Sequence, residues 1–264
     1  MSPKLSIISH YYNHPEMVQS QIAYWETLPD YFLSQVEFIL VDDCSEKTPV
    51  IRPTNLRLKV YRVITDLPWN QAGARNLGAF NASGEWALYF DIDQRFYADP
   101  MAAVVANLDR LDKMGLHYLK IKELIDITVN KSLACHPNSF LVNLAMFKQH
   151  AMYDEDFVGH YGYEDLYMPQ VWEKQGGKRI VFNDMIFFRG HELRHHQPES
   201  RPVAESSAGA TKDGRWLQAP GRHSAFRVGA DRHFERLRPV ALNAPALCKW
   251  KCKSTLIKVG PRQR

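Results

Sequence analysis

No stretch of the sequence approaches 18 consecutive apolar residues, so no segment of it reads as a bilayer-spanning helix. Cysteine is equally scarce. Cys44, Cys135, Cys248 and Cys252 are the only four in 264 residues, too few and too scattered for a disulfide framework. Cys248 and Cys252 form a C-x3-C pair, but no second Cys/His pair stands nearby to complete a zinc site. Residues Met1 to Ser9 lack the basic region and long apolar run of a secretory leader, which places the chain in the cytoplasm by expectation. No internal repeat is visible. Positive charge is in short supply until late: residues 1–200 carry 19 Lys/Arg against 25 Asp/Glu, whereas residues 201–264 carry 14 against 4.

What remains is ordinary globular composition, 45% hydrophobic and 23% charged, arranged in short apolar runs separated by helical patterns. Lys4 to Ser9 reads as a first strand, Glu16 to Thr27 as a helix, Val36 to Val41 as a strand buried on both faces, and Leu58 to Val63 as a third strand. Ala72 to Ala82 is a helix of small residues suited to lying close on a sheet, and Trp86 to Phe90 is the next strand. Met101 to Leu111 reads as a helix, His117 to Val129 and Ser139 to Leu144 as antiparallel partners, and Tyr163 to Gln175 as a helix that leaves through Gly176-Gly177. Two further apolar runs, Arg179 to Asn183 and Met185 to Phe188, follow. The pattern predicts an α/β fold with a mixed, mainly parallel sheet flanked by helices over residues 1–196. Residues 197–264 are then a basic, loop-rich extension, with a helical pattern returning between Ser224 and Leu237.

The strand Trp86 to Phe90 ends in Asp91-Ile92-Asp93, two carboxylates spaced i, i+2. The residue between them turns away while both acids reach the same mouth of the sheet. Such a pair suits a hard cation, Mg2+ or Mn2+, and those cations neutralise diphosphates, which makes a nucleoside diphosphate derivative the natural substrate class. Loops at strand carboxyl ends are where open α/β sheets bind ligands. Here they also carry His10 to Pro15 after the first strand and Asp42-Asp43-Cys44-Ser45 after the second.

Taken together, Val41-Asp42-Asp43-Cys44-Ser45, Ala74-Arg75-Asn76-Leu77-Gly78, Asp91-Ile92-Asp93 and Tyr163-Glu164-Asp165 resemble, in order and spacing, the motifs of the family 2 inverting glycosyltransferases, which have the GT-A fold. The resemblance covers about residues 4–195. It implies that His10, Tyr12, Asp42 and Asp43 hold the base and ribose of the nucleotide, and that Arg75 faces the nucleotide or its phosphates, with Asn76 and Gly78 permitting close backbone approach. It makes Asp93 the direct metal ligand, Asp91 a ligand of the ribose or of the metal's water shell, and His191 a third metal ligand with His195 and His196 as competitors. Asp165 becomes the general base that removes the acceptor's hydroxyl proton, and Glu164 binds an acceptor hydroxyl. Trp69, Tyr161 and Tyr163 are aromatic residues in loops near that site, where sugar rings stack.

The chain departs from the family's habits at His10-Tyr11-Tyr12-Asn13, where a proline and one aromatic residue are usual, and at Cys44, where glycine is frequent. It has no Q-x-x-R-W signature of processive synthases. The expectation is therefore transfer of one sugar or a few from a nucleotide-sugar donor, a UDP-sugar by the family's habit, to a glycan or lipid-linked acceptor, in bacterial surface polysaccharide synthesis. The alternatives are a nucleotidyltransferase and a non-catalytic nucleotide- or carbohydrate-binding module. The basic extension, with Trp250 and Leu256-Ile257, suits an anionic phospholipid surface such as the inner face of the plasma membrane. No nucleic-acid motif or repeated aromatic platform accompanies its charge, so no nucleic-acid partner is expected.

Overall fold

The structure, a computed structural model, describes residues 2–121, 135–189 and 254–257. In chain order the elements are β1 (Leu5–Tyr11), α1 (Pro15–Glu26), α2 (Asp30–Leu33), β2 (Val36–Asp42), β3 (Leu58–Val63), α3 (Gln71–Asn81), β4 (Trp86–Tyr89), β5 (Gln94–Phe96) and α4 (Ala98–Ala106). After a 3-10 turn at Leu108–Arg110 come β6 (Gly115–Ile121), β7 (Cys135–Asn143), α5 (Leu144–His150), a second 3-10 turn at Glu155–Phe157, α6 (Glu164–Lys174), β8 (Lys178–Arg189) and β9 (Ser254–Ile257).

The strands form one mixed sheet of order β5-β8-β6-β7-β4-β1-β2-β3-β9. Its β3-β2-β1-β4 half is parallel throughout, with Tyr11 opposite Asp42 and Ile8 opposite Tyr89. β7 joins antiparallel to β4, and β6 pairs antiparallel with β7 and parallel with β8. This is the α/β architecture expected from the sequence.

Alternation decides which face each side chain covers. Leu5, Ile7, Phe38, Leu40, Trp86 and Leu88 pack on one side with Trp25 of α1, Phe32 of α2 and Met101 of α4. Ile8, Ile39, Val41, Ala87 and Tyr89 pack on the other with Ala72, Ala74 and Leu77 of α3, Phe147 of α5 and Trp172 of α6. Because both faces are covered, the central strands read as unbroken apolar runs. On α3, Gly78 lets the helix sit against the sheet: a Cβ there would lie 2.5 Å from Ile8 Cγ2 and 3.5 Å from Val41 Cγ2. The close approach that the A-R-N-x-G motif permits at this glycine is to the molecule's own strands.

Three short elements escape the sequence pattern. α2 and β5 have too few residues for a period to show. β9 comes from the basic extension and adds antiparallel to the edge of β3, with Leu256 opposite Tyr61 and Ile257 opposite Val60. The two apolar runs between residues 179 and 188 form the one strand β8. The boundary set at residue 196, the helical pattern at Ser224 to Leu237, His191, His195, His196, Trp250 and the pair Cys248 and Cys252 all lie outside the described residues.

Candidate active site

Because β1, β2 and β4 run parallel, their carboxyl ends deliver His10, Asp42-Asp43 and Asp91 to one edge of the sheet, where Asp43 N–H donates to the Tyr11 carbonyl at 2.9 Å. At the end of β2 the chain turns sharply. Asp42 is fully buried, its Oδ1 accepts the Ser45 N–H at 2.8 Å, and its Oδ2 pairs with Arg62 of β3 at 2.5 Å. Arg62 also donates to the Ser45 carbonyl at 2.7 Å. Asp42 is thereby held inside the turn, while the neighbouring Asp43 accepts from Asn70 Nδ2 at 2.8 Å. Cys44 adopts φ +60°, in the left-handed region that glycine enters most easily, which accounts for the residue usual at this place in the family.

Arg75 of α3 lies at the centre of the edge and is 1% exposed. It donates to Asp91 Oδ1 at 2.7 Å, to Asn138 Oδ1 at 3.1 Å and to the Tyr153 hydroxyl at 2.8 Å. The other Asp91 oxygen faces His136 Nδ1 at 3.4 Å and Gln94 Nε2 at 3.4 Å. Gln94 is fully buried and accepts the Ser139 hydroxyl at 2.5 Å. Beside them stands His10, whose Nδ1 is shut off from solvent with no hydrogen-bond partner among the described residues. Burial first, and then the Arg75 charge, push its pKa down to about 3, so the ring is neutral at ordinary pH.

A second acidic group faces this one from α6. Glu164, 2% exposed, accepts the Trp69 indole N–H on Oε1 at 3.1 Å, while its Oε2 is buried with no partner among the described residues. Burial raises its pKa, more than the hydrogen bonds from its own backbone N–H and from Trp69 lower it; the Asp165 charge adds to the rise and the Arg75 charge opposes it. Asp165 follows in the first turn of α6, half-buried. Trp69 and Tyr163 take positive φ values of 43° and 74°, and the Trp69 ring meets Tyr161 edge-on at 4.3 Å. Tyr161 is exposed. Tyr12 lies half-buried beyond the end of β1.

The structure thus gathers His10, Arg75 and Asp91 into one cluster and sets Glu164 within reach of the Arg75 charge. Asp42 and Asp43 belong to the adjoining turn. Three participants had no signal in the motif reading: His136, Asn138 and Tyr153. A clue to the first two is the polar stretch His136-Pro137-Asn138 immediately before the apolar run of β7. Tyr153 has none, since a tyrosine between two helical segments is ordinary packing.

The donor chemistry fits a divalent cation. Asp91 and Asp93 are hard oxygen donors on one short turn, and Asp91 Oδ2 has only the long 3.4 Å contacts to His136 and Gln94, whereas Oδ1 is bound to Arg75 at 2.7 Å. Two carboxylates, water and substrate phosphates are a set that Mg2+ and Mn2+ accept without a full protein cage. Among the described residues no cluster of three or more His, Cys, Asp or Glu side chains converges as such a cage.

Comparison with known proteins agrees with the fold. A curated relative described as an uncharacterized glycosyltransferase of Haemophilus influenzae is 28% identical over 114 residues, which is 43% of this chain and 37% of that protein. Staphylococcus aureus TarS 1-349 superposes with a TM-score of 0.55 at 18% identity, covering 70% of this chain and 60% of that one. The mannosyltransferase PcManGT of Pyrobaculum calidifontis, solved with GDP-Man and Mn2+, superposes with a TM-score of 0.54 at 16% identity over 74% of this chain and 59% of that one. These relatives are longer than the part this chain spans, and the structural likeness is one of fold. Residues 6–144 match the model of the family described as Glycosyl transferase family 2, and the chain belongs to that family.

Proposed function

We propose that the chain is a metal-dependent inverting glycosyltransferase that moves a sugar from a nucleoside diphosphate donor, a UDP-sugar, to a hydroxyl of a glycan or lipid-linked acceptor in bacterial surface polysaccharide synthesis. The observation that carries this reading is the meeting of two acidic groups near Arg75: Asp91 bound to it at 2.7 Å, and Glu164, with Asp165 beside it, arriving from α6 within reach of the Arg75 charge. One acidic group suits the diphosphate end of a donor, the other suits an acceptor hydroxyl. S. aureus TarS has been solved with UDP-GlcNAc and PcManGT with GDP-Man and Mn2+, which supports a nucleotide-sugar donor and a divalent metal for this fold.

In this reading Asp43 and Tyr12 line the nucleotide end, and Arg62 fixes the turn that presents them through its bond to Asp42. Asp93 and Asp91, with His191, are the residues that would hold Mn2+ or Mg2+, and the bound ion would offset the negative charge of the departing diphosphate. Asp165 takes the proton from the acceptor hydroxyl as that oxygen attacks the anomeric carbon from the face opposite the diphosphate, which inverts the configuration. Glu164 orients the acceptor, and the exposed Tyr161 ring offers a face for its sugar.

Calorimetry of UDP with and without Mn2+ tests the donor half. Affinity that does not change with the metal would count against the proposal. Asp165→Asn tests the acceptor half: transfer falls by about 10²–10⁴-fold while UDP still binds, and retained turnover would move the base elsewhere. The basic extension is assigned to an anionic membrane surface on the cytoplasmic side, and equal recovery from liposomes with and without anionic lipid would remove that assignment.

A further inference from the structure

Asn76 is next to Arg75 in the same helix, yet it touches none of the groups at the donor end. It is 4% exposed, and its amide is spent entirely on the segment that leads into α6. Nδ2 donates to the Tyr153 carbonyl at 2.9 Å and to Glu155 Oε1 at 2.9 Å, and Oδ1 accepts the Tyr153 N–H at 3.1 Å. An amide that bonds both backbone groups of one residue acts as a short piece of sheet and fixes that residue in position and rotation. Arg75 adds the Tyr153 hydroxyl from the same helix turn. Further along, Gly159 N–H donates to the Pro68 carbonyl at 2.8 Å, and Trp69 holds Glu164. The strand-end acid and the segment running up to Glu164 and Asp165 are therefore anchored to consecutive residues of one helix.

We infer that Asn76 is a positioning residue for Glu164 and Asp165, acting through Tyr153 and Glu155, so that the Arg75-Asn76 pair sets the spacing between the donor and acceptor halves of the site. This rests on the proposed glycosyltransferase reading for its catalytic consequence and on the hydrogen bonds alone for its structural one. The segment from 153 to 165 contains Gly159 and Gly162 at φ +97° and +86°, with open space around both. Tyr153 and Val158 seat the start of the segment on the core, and the bonds from α3 fix the backbone of Tyr153 and the carboxylate of Glu155 on that seat.

The test uses the full chain. Asn76→Asp puts an anion against the Tyr153 carbonyl and Glu155, and turnover of the nucleotide sugar that the parent protein consumes falls on the order of 10²-fold, while donor KM and UDP affinity in Mn2+ stay within about twofold. Adding Glu155→Gln gives that new carboxylate a donor in place of a like charge and restores roughly tenfold of the loss. Amide exchange quickens in residues 153–165 of the single variant and not in β1, β2 or β4. Glu155→Ala leaves Asn76 in place and removes the carboxylate that its Nδ2 bonds, so it serves if Asn76→Asp fails to fold; it shows the same kcat loss at constant KM on a smaller scale. UDP affinity falling in step with turnover, no recovery in the double variant, or exchange loosened evenly across the sheet would each overturn the assignment. Failure of the parent protein to bind UDP would instead count against the broader reading and leave the exchange result standing by itself.

Discussion

Arg75 and Asp91 are 2.7 Å apart, with the arginine side chain 1% exposed and the aspartate 25% exposed. The cation is thus committed to the interior and the anion stands at its boundary. Removing the two partners has unequal effects. Arg75→Met leaves Asp91, Asn138 and the Tyr153 hydroxyl without their shared donor, and should cost about 3–5 kcal/mol, as breaking buried pairs does. Asp91→Asn keeps a hydrogen-bonding oxygen towards Arg75 and should cost less. Urea unfolding of both variants checks the order, and an equal or reversed ranking would sink it.

Gly78 offers a test of packing alone. A side chain at this position points at Ile8 and Val41 with no room to spare. Gly78→Val should lower stability by about 1–3 kcal/mol through overpacking, measured by thermal or urea unfolding. A neutral result would mean that α3 can lift from the sheet at no cost.

His10 sets a pH dependence. Its folded pKa of about 3 lies below the ordinary 6.5, so between those values the unfolded chain binds a proton that the folded chain refuses. The folded form therefore loses stability as pH falls through that window and is unaffected by this group above it. His10→Phe should flatten the stability curve between about pH 4 and 6. An unchanged slope there would mean that the ring already finds a proton partner in the fold.

Glu164 has the opposite sign. Burial raises its pKa, so the protonated side chain is the one the fold favours, and the stability it contributes is lost as pH rises through that raised value. The Trp69 indole opposes this by donating to the ionised form. Trp69→Phe should move the Glu164 titration further up, seen by carboxyl NMR and as an upward shift of the acid limb of turnover. A downward shift would contradict the hydrogen bond.

Much of this was legible in the sequence because parallel strands buried on both faces leave unbroken apolar runs, and the acids that end them stand out. Asp42 and Asp91 were found that way, whereas Arg75 came from the motif resemblance and the helices α1, α3 and α6 from their own helical patterns. The partners of Arg75 were not found. Asn138 and Tyr153 lie 63 and 78 residues away along the chain and meet it only through the fold. Asn76 shows the same limit differently: its motif marks it as important, but the motif does not say that its amide faces the segment before α6 and not the nucleotide end.

The strand β9 gives the molecule a history as well as a shape. Ser254 pairs with Val63, so among the described residues β3 gains its neighbour on that side only once the chain to residue 257 has been synthesised. At about 5–20 residues per second that interval lasts on the order of 10–40 s, during which the nascent protein carries an open, twisted edge with unpaired backbone groups. Lys59 and Arg62 on β3 are charges placed where another strand would otherwise add. The ion pairs they make with Glu37 and Asp42 of β2 need nothing from the late-arriving segment, so the edge is guarded against neighbouring nascent chains before β9 arrives to close it.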